Sequence, residues 1–311
     1  MLSQLIRLYV RSKAPGSTRC TVALARRIPA LQSVPITING NQQLYVDLRD
    51  GLSQLLLAGS PWESVPWEVD EQTVMRSIVR RGDVVFDVGA HIGLHTVLLS
   101  ALAGPTGVVH AFEANPEKLR PLLATASRLS NATVHAVGLG DRSGPATLFI
   151  PEDQSMASLE DWTEGRAGRV HEATCTLRRI DEMVDTGELP RPDFIKCDVE
   201  GGELGVFAGA ARVLNRADAP IILYEANARS AAAFGSPISG ATDLLRSLEK
   251  PRYSIFHLLG TRLRPLESFT DDCDHYNLVA VPTARTWHLR ELQGGDSPGD
   301  SPSLERDVAE R

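Results

Sequence analysis

Six carboxylates in this 311-residue chain occupy one kind of place, the end of an apolar run. Asp87 follows Val84-Val85-Phe86, and Glu113 follows Val108-Val109-His110-Ala111-Phe112. Asp141 follows Gly138-Leu139-Gly140, Asp198 and Glu200 follow Phe194-Ile195-Lys196-Cys197, and Glu225 follows Ile221-Ile222-Leu223-Tyr224. A carboxylate so placed can accept from sugar hydroxyls, neutralise a cation or take a proton. The first two acids narrow the choice. Between them lie the turn Gly89-Ala90-His91-Ile92-Gly93 and a helical pattern with apolar residues at Leu94, Val97, Leu98 and Ala101. A glycine turn that opens a helix, with a carboxylate about 20 residues further on, is what a nucleoside site requires.

The turn also discriminates between nucleoside cofactors. A dinucleotide fingerprint, G-x-G-x-x-G, lets a pyrophosphate rest on bare backbone. Gly89-Ala90-His91-Ile92-Gly93-Leu94 lacks the second and third glycines of that motif. Asp87 is poor company for a pyrophosphate and good company for a sulfonium cation, so S-adenosylmethionine fits better than NAD. An NAD-dependent sugar oxidoreductase is the rival enzyme reading, and a cofactor fold without chemistry is the rival outside catalysis.

The elements that must position these acids read as alternating strands and helices. Residues 34–58 begin as a hairpin around Asn39-Gly40-Asn41, and Glu68–Arg80 has helical spacing before Gly82. After Glu113, Asn115 and Pro116 mark the start of a helix with Leu119, Leu122, Leu123 and Ala126 on one face. A third strand spans Thr133–Val137, and a fourth ends at Cys197 before a helix with Leu204, Phe207, Ala208 and Ala211. A fifth ends at Glu225, with further strands near Tyr253–Leu259 and Tyr276–Val281. Short strands at 146–150 and 173–177 flank a polar loop, 151–172, suited to a substrate lid. Such alternation implies right-handed βαβ units in an open, mostly parallel sheet, where ligands bind beyond the carboxyl ends of the strands.

Composition bounds the partners. A net charge of -7 disfavours nucleic acid. No apolar run is long enough for a transmembrane helix, and Cys20, Cys175, Cys197 and Cys273 form no CxxC pair, which fits reduced thiols in a cytoplasm. Met1–Arg27 carries six cations and no acid, with Leu2, Leu5, Ile6 and Tyr9 at helical spacing. Such a basic amphipathic helix can rest on a membrane surface or an acidic partner, and packing on its own acidic domain is the plainer reading; stable insertion in a membrane is not expected. The tail 286–311 is polar and aperiodic, which predicts disorder. The expected organisation is a basic helical segment at 1–33, a hairpin and helix at 34–82, a catalytic domain at 83–285 and the tail. A homo-oligomer is left open.

The stretches FDVGAHIGLHT, AFEANP, FIKCDVEGGELGVFAGA, ILYEAN and NLVAVP together resemble the FkbM-type family of S-adenosylmethionine-dependent methyltransferases, over roughly residues 36–282. The resemblance implies an α/β class I methyltransferase (Rossmann-like) fold: a seven-stranded, mostly parallel sheet with helices on both faces and an antiparallel last strand. It implies methyl transfer to a hydroxyl of a small molecule or glycan, such as a sugar, polyketide or other secondary metabolite. One departure is His91, where the family more often has asparagine.

Carried over by position, Gly89, Ala90 and Gly93 line the methionine part of the cofactor and Asp87 holds its amino group. Glu113 takes the ribose hydroxyls, and Asp141 either accepts from the adenine amine or caps its own turn. His91, Thr96, Asn115 and Gly140 complete the expected cofactor set. Asp198, Glu200 and Lys196 form the expected catalytic set. Either acid can be the general base, and Lys196, alone in an apolar strand, pairs with one of them. Asp198, Glu225 and Asn227 are also similar to the oxygen ligands of magnesium-dependent catechol-type methyltransferases, which raises Mg²⁺ as a second cofactor.

Overall fold

The computed structural model describes residues 2–12, 14, 16–38, 40–59 and 66–285. The N-terminal elements are α1 (Leu2–Arg11), α2 (Ser17–Arg27), β1 (Val34–Ile38), β2 (Gln42–Val46), α3 (Gly51–Ala58) and α4 (Pro66–Ile78). Then come β3 (Val84–Val88), α5 (Leu94–Ala103), β4 (Val108–Phe112), α6 (Leu119–Ala126), β5 (Ala132–His135), β6 (Gly138–Leu139), β7 (Gly144–Ile150) and β8 (His171–Arg178). The chain continues through α7 (Ile180–Asp185), β9 (Phe194–Cys197), α8 (Glu203–Ala208), α9 (Ala211–Leu214), β10 (Ile221–Asn227) and α10 (Ala228–Ala233). It closes with α11 (Gly240–Ser247), β11 (Tyr253–Leu259), β12 (Arg262–Pro265) and β13 (His275–Pro282).

The central sheet has the order β12-β11-β13-β10-β9-β3-β4-β5. Strands β10, β9, β3, β4 and β5 run parallel, and β13 inserts antiparallel between β10 and β11. This is the class I methyltransferase arrangement expected from the sequence, with one addition. Strand β12 folds back on β11, so the sheet has eight strands where seven were expected.

Alternation along the central strands explains the layers. Val85, Val109, Phe194 and Leu223 face one core, shared with α5 and with Leu31, Val34 and Leu44 of the N-terminal elements. Phe86, Ile195, Ile222 and Tyr224 face the other, filled by Val206, Phe207 and Leu245. Successive strand residues point to opposite faces, and parallel strands between helices must be apolar on both. Lys196 breaks the rule in β9 at 2% exposure. Burying an unpaired ammonium costs several kcal/mol, and a carboxylate 2.9 Å away, on Asp198, offsets it.

A second, three-stranded sheet has the order β6-β8-β7. Here the structure corrects the expected third strand over Thr133–Val137. The strand runs instead over Ala132–His135 as β5, which pairs with β4. Gly138–Leu139, expected in the turn after it, form β6, which leaves the main sheet to pair with β8. The loop between β7 and β8 contains a 3-10 turn, Gln154–Met156, capped by Asp153, whose side chain accepts from the Ser155 amide. The expected helix over Glu68–Arg80 begins and ends two residues earlier, as α4. Asn39 of the hairpin turn and the tail 286–311 lie outside the described residues.

Candidate active site

A cavity of about 570 Å³ opens at the carboxyl ends of β3, β4, β9 and β10. Its floor is the turn after β3. Gly89 adopts a φ of +82°, and a Cβ there would lie 1.8 Å from the Asp198 carbonyl oxygen, so only glycine lets the two strand ends approach. The amides of Gly89 and Ala90 both donate to the Phe112 carbonyl at 3.0 Å. His91 takes a φ of +53°, a conformation in which asparagine is also favoured.

Glu113 organises this floor. Its two carboxylate oxygens accept from the backbone amides of His91 and Asn115, each at 2.7 Å. Burial pushes the carboxyl up from its ordinary value, and the two amides draw it part of the way back. The side chain lines the cavity, and each oxygen has a second lone pair for a hydroxyl. Asn115, 1% exposed, also lines the cavity, and its amide nitrogen has no partner among the described residues. Beyond them Phe112, Val137, Leu139, Leu148 and Leu177 form an apolar slot. A carboxylate, an unspent amide donor and an apolar slot match the ribose and base of an adenosyl group.

The opposite end of the cavity is charged. Lys196, Asp198, Glu200 and Glu225 line it, joined by Glu71 from α4 and by His95, His275 and Asn277. Burial would raise the Asp198 carboxyl, but the Lys196 ammonium holds it below the usual range. Burial would likewise lower Lys196, and Asp198, Glu71 and Asp87 overcome that and keep it charged. Glu200 and Glu225 behave oppositely. Desolvation first, and neighbouring Asp198 second, push both carboxyls well above their ordinary value. Glu200 sits at a φ of +54° in the loop after β9. Its carbonyl accepts from the Ser158 hydroxyl at 2.8 Å, which ties this loop to the β7–β8 insertion.

Of the residues expected from sequence, the cavity wall brings together Gly89, Ala90, His91, Glu113, Asn115, Lys196, Asp198, Glu200 and Glu225. Asp87 stands behind the wall: fully buried, it accepts from the Thr96 hydroxyl at 2.6 Å and pins the first turn of α5 to β3. Gly93, at a φ of +88°, is the N-cap of α5 and packs on Leu122 and Thr125. Gly140 and Asp141 follow β6, outside the main sheet and away from the cavity lining. Asp141 is exposed, and Gly140 packs against Gly209, while Gly138 and Leu139 before them line the cavity. Asn227 is also redirected. Its side-chain oxygen accepts from the amides of Arg229 and Ser230, capping α10, and is spent for Mg²⁺. Among the described residues no trio of His, Cys, Asp or Glu is arranged for a metal ion.

Glu203 was missed as a positioning residue, although it stands in the motif around Glu200. Its carboxylate accepts from the Val199 amide at 3.0 Å and the Gly201 amide at 3.4 Å, so it shapes the loop that carries Glu200. Burial is the main cause that raises it to about 7. Also missed was Lys118, wholly buried between Asp47 at 3.2 Å and Asp50 at 3.0 Å.

A family model described as a methyltransferase FkbM domain matches residues 87–254, more than half of the chain. The chain is 32% identical over 158 residues to the hexuronic acid methyltransferase AglP of Haloferax volcanii, covering 49% of this chain and 61% of that protein. It is 30% identical over 158 residues to the 31-O-demethyl-FK506 methyltransferase FkbM of Streptomyces tacrolimicus, covering 42% of this chain and 60% of that one. The chain thus spans about three fifths of the length of these two relatives. Among solved structures, a methyltransferase FkbM from Methylobacillus flagellatus is similar with a TM-score of 0.43 and 22% identity, over 74% of this chain and 52% of that one.

Proposed function

Because the chain belongs to the FkbM family of methyltransferases, we propose that it transfers the methyl group of S-adenosylmethionine to a hydroxyl oxygen of a small molecule or glycan. The observation that carries this reading is the continuity of one cavity, from the Glu113–Asn115 end to the Lys196–Glu225 end. Gly89, Ala90, Glu113 and Asn115 are the residues that would hold the cofactor. When bound, its sulfonium supplies an already activated methyl group. The protein is left to align the acceptor and take one proton.

Glu200 is the proton acceptor in this reading. Its carboxyl, raised by desolvation and by Asp198, suits a general base better than Asp198, which Lys196 holds below the usual carboxylate range. The Lys196–Asp198 pair supplies a fixed dipole beside the reacting atoms and costs no reorganisation during transfer. Mg²⁺ is not part of the proposal, since Asn227 is committed to its cap. Among the described residues, the acceptor end offers Glu71, Asp198, Glu200 and Glu225 against Lys196 alone of the lysines and arginines. A neutral or amine-bearing polyol suits such a wall better than a carboxylate-bearing one, unlike the hexuronic acid of the Haloferax relative.

The test is transfer of labelled methyl from S-adenosylmethionine to matched neutral, amino and uronic glycosides. Recovery of label as a methyl ether on the neutral or amino compounds is expected. Label on nitrogen or on a carboxylate, or on none of them, contradicts the proposal.

A further inference from the structure

The chain is acidic as a whole, with a net charge of -7, yet its first acid is Asp47. The 46 residues before it hold Arg7, Arg11, Lys13, Arg19, Arg26 and Arg27. In α1 and α2, Arg7, Arg11, Arg19, Arg26 and Arg27 are all exposed. Among the described residues the carboxylate pairing recorded for these arginines is Arg26 with Glu152 at 3.4 Å, with both side chains about half exposed. Arg11 also packs on the domain, its Nε donating to the Ala58 carbonyl at the end of α3. The expectation that this segment packs its cations on the acidic domain thus accounts for Arg11 and Arg26. It leaves Arg19 and Arg27 exposed, with no carboxylate pairing recorded among the described residues.

Apolar side chains share the same surface. Leu5 is 59% exposed, Leu8 64% and Tyr9 38%, spaced three and four apart on one face of α1, while Ile6 turns inward at 5%. Tyr9 is in side-chain contact with Cys20 of α2, and Leu24, 42% exposed, lies one turn beyond Cys20. The two helices thus present one apolar ridge flanked by cations. Nucleic acid needs the cations but not the leucines. An anionic lipid surface uses both, since leucines enter the headgroup boundary while arginines stay among the phosphates.

We propose that α1 and α2 form a peripheral docking surface for an anionic lipid bilayer, independently of the methyl-transfer reading. Among the described residues no helix is long and apolar enough to cross a membrane, so the contact is superficial. Helix α1 packs on α3, whose Leu52 and Leu55 line the cavity, so docking holds the cavity rim beside the bilayer.

Co-sedimentation of the full chain with vesicles tests this. The wild type is expected to pellet with phosphatidylcholine vesicles containing phosphatidylglycerol and to stay in solution with phosphatidylcholine alone. Leu5→Glu with Leu8→Glu, both exposed and outside the cavity, should weaken binding by roughly tenfold or more. Arg19→Glu with Arg27→Glu should do the same. Each double variant should keep the wild-type melting temperature, which separates lost docking from lost folding. Failure to pellet with phosphatidylglycerol vesicles overturns the proposal. So does binding that falls with the arginine changes but ignores the leucine changes, which marks a purely electrostatic site for an acidic protein or nucleic acid.

Discussion

Asp198 and Glu200 stand two residues apart in the same loop and hold protons with opposite strength. Lys196 keeps the first ionised, and desolvation beside Asp198 and Glu225 keeps the second protonated further up the pH scale. A base must be ionised to act, so turnover should rise with pH through the raised Glu200 carboxyl and level off above it. Glu200→Gln should lower kcat by ~10²-fold or more and abolish that rising limb, with cofactor affinity unchanged. A limb that survives the substitution moves the base to Glu225. The strand-end acids could be picked out in the sequence because a parallel sheet gathers the ends of its strands. The same reasoning failed for Asp141, since nothing in Gly138-Leu139-Gly140 announces that β6 abandons the main sheet for β8. It also passed over Glu71, His95 and Asn277, which reach the cavity from α4, α5 and β13. Which face those elements turn to the cavity is a tertiary fact.

The loop between β9 and α8 is held by side chains rather than by ladder bonds. Glu203, at the first position of α8, reaches back to the amides of Val199 and Gly201, so Glu200 can keep its left-handed backbone. That carboxyl is raised from 4.5 to about 7 in the fold, chiefly by burial. The folded state therefore holds a proton that the unfolded chain has released, and stability falls as pH climbs from about 4.5 to about 7. The loss should be on the order of 1–3 kcal/mol. Glu203→Gln keeps an acceptor oxygen for both amides and should flatten this slope in urea unfolding across that range. An unchanged slope would assign it to another group. Helices α5, α6 and α8 were readable from their apolar spacing. The cap chemistry was not: Asn115, expected to open α6 with Pro116, accepts from the Glu117 amide in a turn three residues before the N-cap Lys118, and Asn227, raised as a metal ligand, is the cap of α10.

Across the whole molecule, one buried ion network joins the N-terminal hairpin region to the cofactor turn. Lys118 lies between Asp47 and Asp50, and its amide donates to the Asn115 carbonyl at 3.0 Å. Asp50 also caps α3 by accepting from the Ser53 amide at 2.7 Å. The sequence places these residues 68 and 71 positions apart, so no local pattern could connect them. Lys118→Met takes the ammonium from buried Asp50, while Asp47 keeps the Arg49 guanidinium at 2.7 Å, and should destabilise the fold by about 3–5 kcal/mol, read as a lower urea midpoint. A midpoint within error of wild type would show that the N-terminal elements are not anchored by this charge. The account as a whole depends on the cavity holding an adenosyl group against Glu113. Calorimetric titration of S-adenosylhomocysteine into the wild type and into Glu113→Ala tests that directly, with NAD as the control ligand. The expected result is one S-adenosylhomocysteine per chain, no heat from NAD, and roughly 10-fold or greater loss of affinity in the variant. Binding of NAD in its place, or an affinity untouched by the loss of Glu113, would contradict the account.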